Sequence, residues 1–228
     1  MHLQVAVSAD ASVVYVRAAG LLSRVATAPS AQQQLQQDAN ALSAIARAIE
    51  SNNSCGLALQ QGSSGSGGSG SSSSLSSPEV VNWLISEREH LARVAAVVLA
   101  GSGASLAVKA WHASGTLAML LSWLPLPRVD AKGLVTADSV VMPPLRHSSN
   151  TTTATSASKS KSGSAGNNTA AAAAAALQAP SARLCGNVVK CFVAVVEQPT
   201  SAAAQRLVKA GLLEKLVALL ANTQVYTG

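Results

Sequence analysis

The sequence predicts an all-α fold built from tandem helical repeats that are separated by low-complexity insertions. Its composition is the first reason: 48% of the 228 residues are hydrophobic, but only 3% are aromatic and 11% charged. Such a chain lacks the aromatic residues of a β-sandwich core, whereas alanine and leucine, which are abundant in it, are the best helix formers. Apolar side chains also recur at three- and four-residue spacing, and similar blocks of sequence occur more than once.

Composition divides the chain into five segments. We predict helical blocks at residues 10–51, 78–124 and 182–222. Residues 52–77 form a Gly/Ser-rich linker, and residues 125–181 are first proline-rich and then rich in Ser, Thr and Ala. We expect both insertions to be disordered, because they hold too few apolar side chains to offset the entropy lost on ordering the backbone.

Helix signals accompany the blocks, and the second block shows them most clearly. Ser77 is suited to cap a helix that has Pro78 as its first residue, and Glu79 favours the positive end of the helix dipole. Apolar residues then follow at helical spacing: Val80, Val81, Leu84, Ile85, Leu91, Val94 and Val98. The stretch from Pro125 to Pro144 has no period, and we predict a loop there.

The first and third blocks repeat the same pattern. Ala41, Leu42, Ile45, Ala48 and Ile49 match, at a constant offset, Leu212, Leu213, Leu216, Leu219 and Leu220. The residues predicted at the junction before each final helix are Asn40, Gly115 and Gly211, and Asn and Gly tolerate positive φ. The junctions lie 75 and 96 residues apart. The two insertions account for the excess over a helical repeat of roughly 40–47 residues.

This pattern resembles the armadillo repeat. Gln205–Leu220 is similar to the passage from its first to its second helix, and Ala18–Ala26 is similar to its third helix; HEAT repeats are the alternative. The resemblance implies a right-handed α-solenoid of about three repeats with a concave binding surface lined by the third helices. Because the terminal helices lack polar caps, we expect a segment of a longer protein or an imperfect gene model.

The resemblance also indicates where a partner would bind. Arg24, Val98 and Ala194 match the position at which many armadillo proteins carry an asparagine that holds a peptide backbone. None of the three is asparagine, so the family's mode of nuclear-signal recognition is not expected here. Trp83 and Trp111, like Trp123, are candidate interface anchors, with packing in the core or groove as the alternative.

No motif in the sequence predicts catalysis, a cofactor or a metal. Gly65–Gly70 matches GxGxxG but lies within the Gly/Ser tract, without the strand and helix of a dinucleotide site. The four histidines and the cysteines Cys55, Cys185 and Cys191 lack metal-ligand spacing. We expect Cys185 and Cys191 to be buried, reduced thiols, and we expect no enzymatic activity.

The sequence therefore predicts a non-enzymatic scaffold or adaptor that binds another protein, with no membrane or small-molecule partner. One alternative rests on Leu184–Cys191, which resembles segments of the tetratricopeptide-armadillo proteins that assist ciliary dynein assembly. A second is nucleic-acid binding by the acid-free basic stretch between Val140 and Val196, although a solubilising spacer explains that stretch as well. Without a signal peptide we expect a cytoplasmic protein, with the nucleus or cilium as alternatives.

Overall fold

The computed structural model describes residues 9–62, 78–125, 127–129, 135–137, 181–198 and 202–223. These residues contain nine α-helices, which confirms the all-α prediction for most of this part of the chain. The helices are α1 Ala9–Val25, α2 Pro29–Gln37, α3 Ala39–Gly62, α4 Pro78–Leu99, α5 Ser105–Ala113, α6 Thr116–Ser122, α7 Ala182–Val196, α8 Ala202–Lys209 and α9 Leu212–Thr223. A 3₁₀ turn at Ser102–Ala104 precedes α5.

One small hairpin departs from the loop predicted between Pro125 and Pro144. Strand β1 (Pro127–Val129) pairs with β2 (Val135–Ala137) in antiparallel register, and α9 lies beside it. Three-residue strands are too short to leave a detectable period of two in the sequence. Pro127 is tolerated because it opens an edge strand.

The helices form two layers. In the first, α4 lies between α1 and α7, and it contacts both of them along much of its length. The second layer contains the other six helices: α2 and α3 pack against α4, α5 lies between α2 and α8, and α6 contacts α3 and α8. The core fills the space between the layers.

Residues at the predicted helical spacing form much of this core. The α4 residues Val80, Val81, Leu91, Val94 and Val98 are all buried. Leu91, Val94 and Val98 pack in one continuous cluster with large side chains of neighbouring helices, which include Leu42, Ile45, Ile49, Trp111, Val188 and Phe192. Pro78 begins α4 as predicted, while its expected capping residue, Ser77, lies outside the described residues.

The predicted junctions are confirmed at two of three positions. Gly115 and Gly211 have φ values of +79° and +92°, a region that favours glycine because it has no Cβ. Asn40, in contrast, lies within the first turn of α3, so its assignment as a junction was wrong. Asp38 lies at that junction instead and caps α3. Its Oδ1 accepts hydrogen bonds from the backbone N–H groups of Asn40 (2.8 Å) and Ala41 (3.3 Å).

Helix α3 continues to Gly62, past the boundary predicted at residue 51. Buried contacts with α4 hold this extension, because Asn52 is 2% exposed and bonds to α4. The rest of the Gly/Ser linker, including the GxGxxG match, lies outside the described residues. So does most of the second insertion, with Arg146, Lys159 and Lys161 of the basic stretch.

Candidate functional site

An open groove of about 620 Å³ runs between the C-terminal halves of α4 and α7. The end of α1 and the start of α2 close one side of it. Its lining residues come from α2, α4 and α7 and from the turns that follow α1, α4 and α7: Thr27, Gln32, Arg93, Ala96, Val97, Ala100, Gly101, Asn187, Lys190, Val193, Ala194 and Glu197.

Two glutamines of α2 fix the α4 wall of the groove. The last carbonyls of a helix have no partner within the helix itself. The Gln32 side-chain amide donates to the carbonyls of Val97 (2.8 Å) and Ala100 (3.0 Å). The amide of Gln36 donates to those of Val98 (2.9 Å) and Ala100 (2.7 Å). The end of α4 is thereby attached to α2, which keeps this wall in position.

Polar contacts also fix the α7 wall. Ser181 caps α7 by accepting a hydrogen bond from the Leu184 N–H (3.1 Å), and its hydroxyl donates to the Glu89 carboxylate of α4. Further along, the Asn187 amide donates to the Glu89 carbonyl (3.5 Å). The Cys191 thiol faces the Ala92 carbonyl at 3.6 Å. These contacts set the register of α7 against α4, and thus the position of every groove residue on α7.

The groove surface combines charged and apolar groups. The side chains of Arg93, Lys190 and Glu197 are exposed there, beside Val97 and the exposed Val193. The hydroxyl of Thr27 donates to the Arg24 carbonyl at 2.6 Å, so its proton is engaged at the end of α1. Such a lining can bind through charge, hydrogen bonds and apolar contact.

The structure distributes the five predicted partner-binding residues over different environments. Ala194 lines the groove, and Arg24 is exposed close to its rim, three residues before Thr27. Trp83 is half-buried on α4 and is not part of the groove lining. Val98 and Trp111 are 0% and 1% exposed, which corrects their assignment to a binding face. Trp111 is a core residue, and its indole N–H donates to the Leu42 carbonyl at 3.1 Å.

The error at Val98 is one of helical register. A shift of one residue rotates a position by about 100° around the helix, so Val98 points into the core while Val97 lines the groove. Aligning Val97 with Ala194 also aligns Arg93 with Lys190 and Ala100 with Glu197 at the same offset. This i, i+4, i+7 pattern on both helices is the signal that would have found the charged residues from sequence.

A second polar cluster lies buried between α3 and α4. Arg88 Nε donates to Asn52 Oδ1 (2.7 Å), and Asn52 Nδ2 donates to Glu87 Oε2 (2.8 Å) and to the Leu84 carbonyl (3.1 Å). The Arg88 guanidinium also lies 5.6 Å from the ring centre of Trp123. Burial lowers the pKa of Arg88 to about 10 and raises the pKa of Glu87 above its usual value. The cluster is enclosed, and its role is to join the two helices.

The cysteines behave as packing residues. Cys185 and Cys191 are buried in α7 as predicted, and all three thiols are unpaired with one another. Burial raises the pKa of Cys185 to about 11 and raises that of Cys191 as well, which disfavours the reactive thiolate. Among the described residues, no three His, Cys, Asp or Glu side chains are grouped so that they could hold a metal ion.

Comparison with models of protein families, with curated proteins and with solved structures found no match. Within the described ranges, no helix is both long and apolar enough to cross a membrane. The groove is therefore interpreted from its own geometry and chemistry.

Proposed function

We propose that this chain is a non-enzymatic protein-binding module, and that the groove between α4 and α7 receives an extended segment of the partner. The observation that carries the proposal is the groove itself: about 620 Å³, open, and lined by exposed charged and apolar groups from several helices. The α4 wall is attached to α2, and the α7 wall is attached to α4. This favours binding, because a preformed site loses little conformational entropy when a ligand enters.

We further propose that the helices form a right-handed solenoid of the armadillo type. The order of helices supports this, since two helices and then a third that packs beside the preceding third helix occur twice, as α2–α3–α4 and as α5–α6–α7. The side-by-side packing of α1, α4 and α7 supports it too. In such a solenoid the groove would belong to the concave surface.

The charges favour an acidic partner segment. Arg93 and Lys190 line the groove, and α1 adds the exposed Arg17 and Arg24. Glu197 is the single acid of the lining, and the chain as a whole has a formal net charge of +6. A segment with several carboxylates would meet these cations with complementary charge, which raises both specificity and the rate of association.

The test is binding of short extended peptides of graded negative charge, measured by fluorescence anisotropy. We expect affinity to rise with negative charge. We expect the variant Arg93→Glu/Lys190→Glu to lose at least about tenfold in affinity, which corresponds to 1.4 kcal/mol. The matched control is Arg47→Glu/Lys209→Glu, which reverses two exposed charges outside the groove, on α3 and α8, and should leave the affinity nearly unchanged.

Equal losses in the groove variant and the control would contradict the proposal, because they would indicate attraction by net charge alone. A labelled oligonucleotide is measured in parallel. Tighter binding of the oligonucleotide than of any peptide, with a steep dependence on salt, would instead favour the nucleic-acid alternative. The alternative of an assembly factor stays a prediction.

A further inference from the structure

Helix α1 carries an apolar stripe on the side that faces away from α4. The opposite side, with Ala19 and Ser23, is buried. The exposed fractions on the stripe are 65% for both Val14 and Leu21 and 49% for Val25. Its members follow the i, i+4, i+7, i+11 spacing of a single helix face: Val14, Ala18, Leu21 and Val25. Contiguous exposed apolar residues of this kind mark an interaction surface.

The other end of the molecule has a second apolar surface, on α7 and α9. Val196 at the end of α7 is 54% exposed, and Leu213 and Val217 on α9 are 54% and 52% exposed. Leu213 matches Leu42 of α3, which is 1% exposed. In the described part of the chain, α4 lies over α2 and α3, but no long helix lies over α8 and α9 in the same way.

The internal packing indicates what fits this second surface. Helix α4 contacts α1 on one side and α7 on the other, so the same kind of helix pair occurs twice within the chain. The exposed stripe of α1 lies on the side opposite α4, and Val196 of α7 is likewise exposed away from the core. A third such pair would form if the stripe of one α1 packed against α7 of another copy. That α1 would then lie over α9 as α4 lies over α3.

We propose that copies of this chain associate head to tail, with α1 of one copy packed against α7 and α9 of the next. The two contact surfaces differ, so the contact is heterologous, and a dimer keeps one free surface of each kind, to which further copies can add. This self-association goes beyond the proposed peptide binding and does not depend on it. Val14, Leu21, Val196 and Leu213 all lie outside the groove lining.

The experiment uses the whole chain and two complementary variants in sedimentation equilibrium up to about 0.5 mM. The first variant, Val14→Glu/Leu21→Glu, blocks the α1 surface. The second, Val196→Glu/Leu213→Glu, blocks the α7–α9 surface. All four positions are about half exposed or more, so helicity measured by circular dichroism should match that of the unchanged chain.

We expect the mass of the unchanged chain to rise with concentration, while each variant alone remains a monomer of 22.9 kDa. An equimolar mixture of the two variants should form a dimer and nothing larger, because only one competent pair of surfaces remains. The matched control Leu106→Glu changes an apolar residue on α5 that is 44% exposed. It should associate like the unchanged chain.

Three results would overturn the proposal. The first is an unchanged chain that stays monomeric over the whole concentration range, which would leave these surfaces to some other occupant. The second is self-association of either variant alone, which would indicate a contact between like surfaces. The third is a mixture of the two variants that stays monomeric.

Discussion

Helices α3 and α9 have matching sequences and opposite surroundings. Leu42 of α3 and Leu213 of α9 match in sequence at a constant offset, yet the exposed fraction is 1% for Leu42 and 54% for Leu213. Around α3, the structure provides α4, α5 and α6 as neighbours, and the Trp111 indole bonds to the Leu42 carbonyl. Around α9 it provides α8, the small hairpin and the end of α6, where the Lys215 ammonium donates to the carbonyls of Leu121 and Leu124 (both 3.0 Å). Leu42 is thus part of the core, whereas Leu213 lies at the surface of a helix that buries its neighbour Leu212.

A match in sequence therefore does not give two leucines the same contribution to stability. An apolar side chain stabilises the fold only to the extent that neighbouring elements remove it from water. The two matched leucines should therefore differ widely in what they contribute to the free energy of unfolding. Four measurements test how far burial and buried contacts account for the contribution of individual residues.

The largest expected effect comes from truncating the two matched leucines. Leu42→Ala should lower the free energy of unfolding by about 2–5 kcal/mol, because it leaves a cavity in the core. Leu213→Ala should lower it by less than about 1 kcal/mol. Urea denaturation at low protein concentration, where copies do not associate, measures both. Similar losses in the free energy of unfolding for the two variants would contradict this prediction.

The buried polar cluster between α3 and α4 gives the next effect. Arg88→Ala should cost about 2–3 kcal/mol, since it leaves the buried Asn52 oxygen without its donor and the partly buried Glu87 carboxylate without the positive charge near it. Arg47→Ala removes an exposed charge from α3 and should change stability by less than about 0.5 kcal/mol. The same urea titration compares them. A loss at Arg88 no larger than at Arg47 would mean that the cluster does not join the helices.

A smaller effect is expected where α2 holds the end of α4. Gln36→Ala removes the hydrogen bonds from this amide to the carbonyls of Val98 and Ala100, although Ala100 keeps its bond from Gln32. The change should cost about 1–2 kcal/mol. The neighbouring Gln37 is exposed and supplies the control variant Gln37→Ala. Hydrogen exchange of the last turn of α4 should accelerate in the Gln36 variant only. Exchange rates unchanged from those of the parent chain would contradict this role.

The smallest effect is a pH dependence. Burial raises the pKa of Glu87 above 4.5 in the folded chain, so the folded state holds this proton more tightly than the unfolded state. The free energy of unfolding should therefore fall as pH rises from about 4.5 through the folded-state pKa, and then level off. Glu87→Gln should lack this fall. The exposed Glu50→Gln is the control, and urea midpoints measured between pH 4 and 8 compare the three chains. Parallel profiles for the parent chain and Glu87→Gln would contradict the prediction.

Most of the helices, together with one buried helix face, one helix start and two junctions, could be predicted from the sequence alone. Helical spacing identified the buried face of α4, Pro78 marked its first residue, and Gly115 and Gly211 marked two junctions that have positive φ. The buried thiols of Cys185 and Cys191 followed from the same patterns. These features depend on backbone preferences and on the periodicity of apolar side chains, and both are local properties of the chain.

Which residues contact one another depends on the tertiary structure. Val98 is buried, whereas Val97 lines the groove. Asp38 rather than Asn40 occupies a junction, and two three-residue strands pair. The tertiary structure also brings Gln32 and Gln36 to the end of α4 and leaves Leu213 in water while it buries Leu42. Each of these outcomes depends on a neighbour that is distant in sequence, or on a rotation of one residue around a helix. A local pattern cannot specify either, because burial and hydrogen bonding are set by the elements that pack against a residue.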